Sequence, residues 1–207
     1  MRELSRHMPM ENSLGPAKKN PGFDDKVRFL RSWFEKPLLI GAVMPSGKAL
    51  ARKMAGYVDV NAAGPVIELG PGTGPVTEAL IGRGVDPARL ILVEFDPGFC
   101  DLLRARFPKV TVVQGDAYSL RRTLAETLKE PASALVSSLP LMTKPVKTRL
   151  QLVSEAFTLM KPNSPFIQFT YAAVSPVPTD LEGLSVDSSE RIWLNVPPAR
   201  VWVYRRG

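Results

Sequence analysis

The sequence predicts an α/β protein with a doubly wound, mostly parallel sheet, and three observations carry that expectation. Between residues 65 and 171, short β-branched runs alternate with stretches of helical periodicity. A glycine-rich turn, Gly70–Pro71–Gly72–Thr73–Gly74, joins the first of these runs to the first helical stretch after it. Near the end of the chain the alternation stops, and two strand-like runs follow one another with no helix between them. Strand–helix alternation implies parallel strands with right-handed crossovers, whereas adjoining strands imply an antiparallel hairpin.

Strands are expected at Pro65–Leu69, Arg89–Glu94, Val110–Val113, Ala134–Ser138 and Phe166–Tyr171. They are short, apolar and bounded by Gly or Pro, as strands buried on both faces should be. Helices are expected at Val76–Gly82, Gly98–Arg106, Ser119–Lys129 and Pro145–Met160. The closing hairpin pairs Arg191–Val196 with Arg200–Arg205 across Pro197–Pro198–Ala199, which brings the sheet to seven strands. Ahead of the first strand, Ser46 is suited to cap a helix that runs to about Tyr57. A further helix is expected at Asp24–Lys36, capped by Asp24 or Asp25 and ended by Pro37. Residues 1–22 read as a mobile arm broken by Pro9, Pro16 and Pro21, and residues 23–45 as that helix with an apolar connector. The expected α/β domain is 46–207.

The chain of 207 residues is 44% hydrophobic and 23% charged, which suits a globular domain rather than a disordered tail. Its single cysteine, Cys100, excludes an internal disulfide framework and a multi-thiolate metal site, so no metal is expected and a reducing cytoplasm fits. Residues 1–20 lack the apolar run of a secretory signal, and the longest apolar stretch, Leu38–Met44, is too short to span a membrane. Charge is uneven: residues 1–53 hold 11 Lys/Arg against 5 Asp/Glu, and the remainder 16 against 15. A basic first quarter on a near-neutral body suits an anionic partner, nucleic acid or acidic lipid.

The glycine turn lies where open α/β sheets bind ligands, and its glycines allow a tight turn and close backbone approach. A nicotinamide dinucleotide is the alternative ligand. Against it, Glu68 stands at the strand end, where a carboxylate opposes a pyrophosphate but suits a cation, and the spacing departs from G-x-G-x-x-G. S-adenosylmethionine carries a sulfonium and an ammonium and no phosphate. Glu94 closes the second strand 20 residues after Gly74, the separation expected of a carboxylate accepting from ribose hydroxyls. Asp116, in Gln114–Gly115–Asp116–Ala117, follows the third strand and is placed to accept from the adenine amino group beside the face of Phe95. An acidic residue at one strand end is usually a helix cap; three in succession form a site.

Taken together, E-x-G-x-G-x-G, the acidic strand end and G-D-A resemble the class I, Rossmann-like S-adenosylmethionine-dependent methyltransferases from about residue 40 onward. The resemblance implies cofactor contacts at Glu68, Gly70, Pro71, Gly72, Thr73, Gly74, Glu94, Phe95, Asp116 and Ala117, with S-adenosylhomocysteine as product. It also places the methyl acceptor beside Ser138–Leu139–Pro140, after strand four. Relatives that methylate adenine carry Asn or Asp, then Pro-Pro or Leu-Pro and an aromatic; here Ser138 replaces the amide and Leu141 the aromatic.

The arrangement as a whole resembles the small bacterial phospholipid N-methyltransferases. Phe29–Leu30–Arg31–Ser32–Trp33, Gly41–Ala42–Val43–Met44–Pro45–Ser46, the glycine turn and Ser138–Leu139–Pro140 carry that likeness. It implies stepwise methylation of phosphatidylethanolamine toward phosphatidylcholine at the cytoplasmic face of the membrane, with no nucleic-acid partner. Lys144, Lys147 and Arg149 could anchor a lipid phosphate or simply be solvated helix residues, and Tyr171 could meet the acceptor amine or be a core aromatic. His7, the only histidine, lies in the arm and is poorly placed as a base. On the 24–36 helix, Val27, Phe29, Leu30, Trp33 and Phe34 share one apolar arc while Arg28, Arg31 and Lys36 lie outside it. Such a face either packs on the domain or docks on an anionic bilayer. Two alternatives stay open: an enzyme like the rRNA adenine N6-dimethyltransferases, and a non-catalytic S-adenosylmethionine-binding protein.

Overall fold

The computed structural model describes residues 45–180 and 182–207. The expected arm, the helix at 24–36 and most of its connector, with Arg28, Arg31, Trp33 and Phe34, lie outside the described residues. No helix among the described residues is long and apolar enough to cross a membrane.

Helix α1 (Pro45–Ala55) leads to β1 (Val66–Leu69), α2 (Pro75–Gly82), β2 (Leu90–Glu94) and α3 (Pro97–Arg106). Then come β3 (Thr111–Gln114), α4 (Leu120–Leu124), β4 (Ala134–Ser137), α5 (Val146–Thr158), β5 (Phe166–Thr170), β6 (Leu184–Ser188) and β7 (Arg200–Arg206). The seven strands form one sheet in the order β3-β2-β1-β4-β5-β7-β6. The first five run parallel, and β7 is antiparallel to both β5 and β6. The carboxyl ends of β1 to β5 therefore share one edge, and so does that of β6.

Each central strand sends alternate residues to opposite faces, as the two-residue period of a strand requires. Val66, Leu90, Leu92 and Val136 pack with Leu50 and Met54 of α1, Val76 and Leu80 of α2 and Leu103 of α3. Ile67, Leu69, Ile91, Val93 and Leu135 pack with Leu120 and Leu124 of α4 and Leu152, Val153 and Ala156 of α5. Two apolar faces enclose the sheet, so β1, β2 and β4 are fully buried. The third strand is the exception: it closes one side of the sheet, and Thr111 and Gln114 are exposed.

Two expected elements are corrected. The helix at 119–129 shrinks to Leu120–Leu124, preceded by a 3₁₀ turn at Ala117–Ser119. The Thr123 hydroxyl is drawn back to the Asp116 carbonyl at 2.9 Å, and both Thr127 and Leu128 amides turn onto the Leu124 carbonyl, which closes the helix early. The closing hairpin exists, but its first strand is Leu184–Ser188 and not Arg191–Val196. Pro197 and Pro198 have no amide to donate to a ladder. Only an isolated Ile192–Ala199 bridge remains from the expected pairing, and Trp193, Leu194 and Val196 point into solvent.

Candidate cofactor and acceptor site

The strand ends at the carboxyl edge are fastened together by amides that continue the sheet ladder. Gly70 N–H donates to the Val93 carbonyl at 2.9 Å, Ser138 N–H to Leu69 at 2.9 Å, and Gly115 N–H to Glu94 at 2.9 Å. The glycine turn, the G-D-A segment and the loop after β4 thus leave the sheet side by side.

Gly74 sits at the start of α2 with φ of 86°, a left-handed conformation, and a Cβ there would lie 2.6 Å from the Phe107 ring. Only glycine meets both demands. Pro71 accepts from the Gly74 amide at 2.9 Å, and Arg106 holds the Thr73 carbonyl at 2.6 Å while pairing with Glu78 at 2.7 Å. Glu94 ties this turn to β2: its Oε2 accepts from the Gly72 amide at 3.0 Å, and its Oε1 from the Phe95 and Asp96 amides at 2.8 and 3.0 Å. A residue expected only to face ribose is also the clamp of the loop.

Glu68 is fully buried. Its Oε2 accepts from the Thr77 hydroxyl at 2.7 Å, and its Oε1 has no hydrogen-bond partner. Burial pushes its carboxyl from 4.5 up to about 8, with Thr77 opposing and Glu94 adding to the rise. The standing negative charge expected from sequence is therefore mostly a protonated acid at pH 7, one that a neighbouring cation would ionise. Asp116 Oδ1 caps the 3₁₀ turn through the Tyr118 amide at 2.8 Å, beside buried Ala117. Phe95, just after β2, is 55% exposed.

The loop after β4 lies against the glycine turn. A Cβ on Gly70, whose φ is 64°, would stand 3.0 Å from Leu139 Cδ2. The Leu139 carbonyl accepts from Gln168 Nε2 at 2.9 Å, and the Pro140 carbonyl from the Thr143 amide and hydroxyl at 3.0 and 2.8 Å. Ser138 is half-buried beside them. Tyr171, just past β5, stacks edge-on to Phe169 with centroids 5.4 Å apart and is hydrogen-bonded to the Asn195 side chain. Burial pushes its phenol upward, away from ionisation at neutral pH.

The basic trio after the acceptor loop does not converge on one anchor. Lys144 sits 4.8 Å over the Tyr118 ring, Lys147 is exposed on α5, and Arg149 donates to the Pro176 carbonyl at 2.7 Å. Thr77, Gln168 and Asn195 were missed because each is a single polar residue within an apolar or irregular stretch. Gln168 alone left a trace, as a polar residue inside the otherwise apolar run 166–169.

The profile of a methyltransferase domain family matches residues 66–163. The chain is 33% identical over 149 residues to the ornithine lipid N-methyltransferase of Singulisphaera acidiphila, covering 70% of this chain and 78% of that protein. It is 34% identical over 97 residues to ribosomal RNA small subunit methyltransferase A of Mycolicibacterium paratuberculosis, 43% of this chain but 29% of that one. In structure it is similar to an O-methyltransferase from Bacillus cereus in complex with S-adenosylhomocysteine, with a TM-score of 0.54 and 13% identity over 79% of this chain and 80% of that one. The chain belongs to the class I S-adenosylmethionine-dependent methyltransferases. Within that class, one relative at 33% identity that it matches over most of both lengths is a lipid N-methyltransferase.

S-adenosylmethionine is the cofactor, and the residues present fit it. The turn offers no lysine or arginine side chain for a phosphate, while three acidic side chains stand at successive strand ends and one buried carboxyl oxygen lacks a partner.

Proposed function

We propose that this enzyme N-methylates the primary amine of a membrane lipid, taking phosphatidylethanolamine and its methylated intermediates toward phosphatidylcholine. The observation that carries this reading is the seating of Leu139 against Gly70, which sets the Ser138–Leu139–Pro140 loop directly beside the cofactor turn. That loop lacks the amide and the aromatic with which adenine would be gripped. Similarity to an ornithine lipid enzyme supports a lipid amine as acceptor.

In this reading Glu68, Glu94 and Asp116 hold the cofactor at its charged tail, ribose and adenine, with Phe95 against the base. The bound cofactor supplies a methyl group on a sulfonium leaving group. What remains for the protein is alignment: holding the acceptor nitrogen in line and excluding competing water. The nitrogen must arrive without its extra proton, since an ammonium has no lone pair. Tyr171, a neutral phenol, accepts from an amine N–H and orients the nitrogen in the first two methylations, each of which releases a proton to water; the third, on a tertiary amine, has no N–H and releases none.

The sequence of the 24–36 segment supports peripheral attachment to an anionic bilayer, with Trp33 and Phe34 toward the acyl chains and Arg28 and Arg31 toward the head groups. The test of the reaction is incubation with radiolabelled methyl donor against vesicles containing phosphatidylethanolamine, vesicles containing ornithine lipid, and ribosomal RNA in parallel. Label in phosphatidylethanolamine supports the proposal. Label only in ornithine lipid moves the substrate to that lipid, and label only in RNA removes the lipid reading.

A further inference from the structure

Eight large apolar side chains are exposed among the described residues, and all but Leu102 belong to segments at the carboxyl edge of the parallel strands. The most prominent are Trp193, Leu194 and Val196, which are 72%, 78% and 69% exposed. All three sit in one closed loop. Its neck is the Ile192–Ala199 bridge, and its tip, Trp193–Leu194–Asn195–Val196–Pro197–Pro198, contains no charged residue. Val174 after β5, with Met142 and Val146 after β4, adds further exposed apolar surface on the same edge.

Between the exposed members of the tip stands buried Asn195, which is hydrogen-bonded to Tyr171 and donates to the Pro197 carbonyl at 2.7 Å. The loop is thus pinned from beneath to a residue of the acceptor site while its apolar side chains face outward. Its two prolines remove two amides that would otherwise need partners away from water. Around the tip the charge is basic. Arg191 lies 5.8 Å from the Trp193 ring, and Arg200 leaves the neck on the other side. Leaving the same edge of the sheet, the segment 131–154 carries Lys144, Lys147 and Arg149 and no acidic residue, while near the neck stand Glu190 and Asp187, the latter paired with Arg205. An aromatic and aliphatic tip flanked by arginines is the pattern of a surface that enters the boundary between head groups and acyl chains.

We infer that the 193–198 loop inserts into an anionic phospholipid bilayer and sets the acceptor side of the enzyme against the membrane. The inference deepens the lipid-amine reading and rests on it: Asn195 links the inserted loop to Tyr171, so a head group would meet the site without the lipid leaving the bilayer. It adds a second attachment to the one expected of residues 24–36.

The test uses the full chain with Trp193 as its sole tryptophan (Trp33→Phe/Trp202→Phe) and vesicles of phosphatidylglycerol and phosphatidylcholine, with or without brominated acyl chains. The expected result is a blue-shifted emission that brominated chains quench. Trp193→Ser and Leu194→Ser, each in the otherwise unaltered chain, should lower vesicle partition roughly tenfold apiece. Leu102→Ser should leave it unchanged, as should any of the three for cofactor affinity by calorimetry. Vesicle binding with unquenched Trp193 would overturn the inference, and so would an absence of binding to acidic vesicles. Quenched Trp193 with no methyl transfer to any amino lipid leaves the insertion standing and removes the substrate reading instead.

Discussion

The amide of Gly72 donates to Glu94 Oε2 at 3.0 Å, joining two loops 22 residues apart in the chain. Both oxygens of Glu94 are used in this way, since Oε1 takes the Phe95 and Asp96 amides. A carboxylate that accepts from amides has its position fixed before any ligand arrives, which is what a ribose-binding group requires. Glu94→Ala should therefore weaken cofactor binding by about 2–3 kcal/mol, from losing charge-assisted bonds to two hydroxyls together with the clamp on the turn. Calorimetry of a variant that still melts cooperatively checks this, and unchanged affinity would rule out the ribose role.

Glu68 gives the site a pH dependence of defined sign. Its pKa rises from 4.5 in the unfolded chain to about 8 in the folded protein, so the folded state keeps a proton that the unfolded state has released across that window. Its contribution to stability is fully present below pH 4.5 and is lost as pH climbs to about 8. The melting temperature of the cofactor-free enzyme should fall more steeply over this range than that of Glu68→Gln, which stays neutral throughout. A cation brought beside the carboxyl reverses the bias. Cofactor binding should then release a proton near pH 7, seen as an enthalpy that varies with the ionisation heat of the buffer, and Glu68→Gln should abolish that variation.

Ser138→Ala should lower methyl transfer about three- to tenfold, the worth of one hydrogen bond at the acceptor. Cofactor affinity should hardly move, because the backbone amide that binds the Leu69 carbonyl is retained. Steady-state kinetics beside a cofactor titration separate the two, and equal losses in both would assign the side chain to the cofactor shell or the core.

Arg28→Glu/Arg31→Glu should reduce flotation on phosphatidylglycerol vesicles roughly a hundredfold or more, at about 1 kcal/mol for each basic residue near an acidic surface. Binding should also weaken with salt as charges are screened. Undiminished flotation of the charge-reversed protein would remove the role given to the 24–36 segment.

The parallel core was legible because its signals are local and redundant. Val66–Leu69 and Leu90–Glu94 are apolar runs with an acid next to or at their last position, and the turn after the first is written in glycines. The last strand pair was misplaced because the 191–196 run alternates like a strand yet precedes two prolines, whereas Leu184–Ser188 is half polar and becomes a strand only through Arg200–Arg206 beside it. Site residues followed the same rule. Glu94 and Asp116 stood out at strand ends, but that Glu94 also clamps Gly72, or that Asn195 reaches Tyr171, depends on contacts across the fold that no local pattern announces. Burial decided the rest: the protonated state of Glu68 and the neutral phenol of Tyr171 follow from surroundings supplied by several elements at once.

A Cβ on Gly70 would stand only 3.0 Å from Leu139 Cδ2, so in the proposed reaction the donor side and the acceptor side share a wall one side chain thick. A side chain at position 70 would crowd Leu139 and, at a φ of 64°, be strained as well, so glycine is required on the donor side of the wall. In the proposed site, acceptor preference is then free to drift at residues away from the wall, such as Pro140 and Tyr171, while the glycine and the leucine keep donor and acceptor close. An enzyme built this way changes what it methylates more readily than how far the methyl group travels.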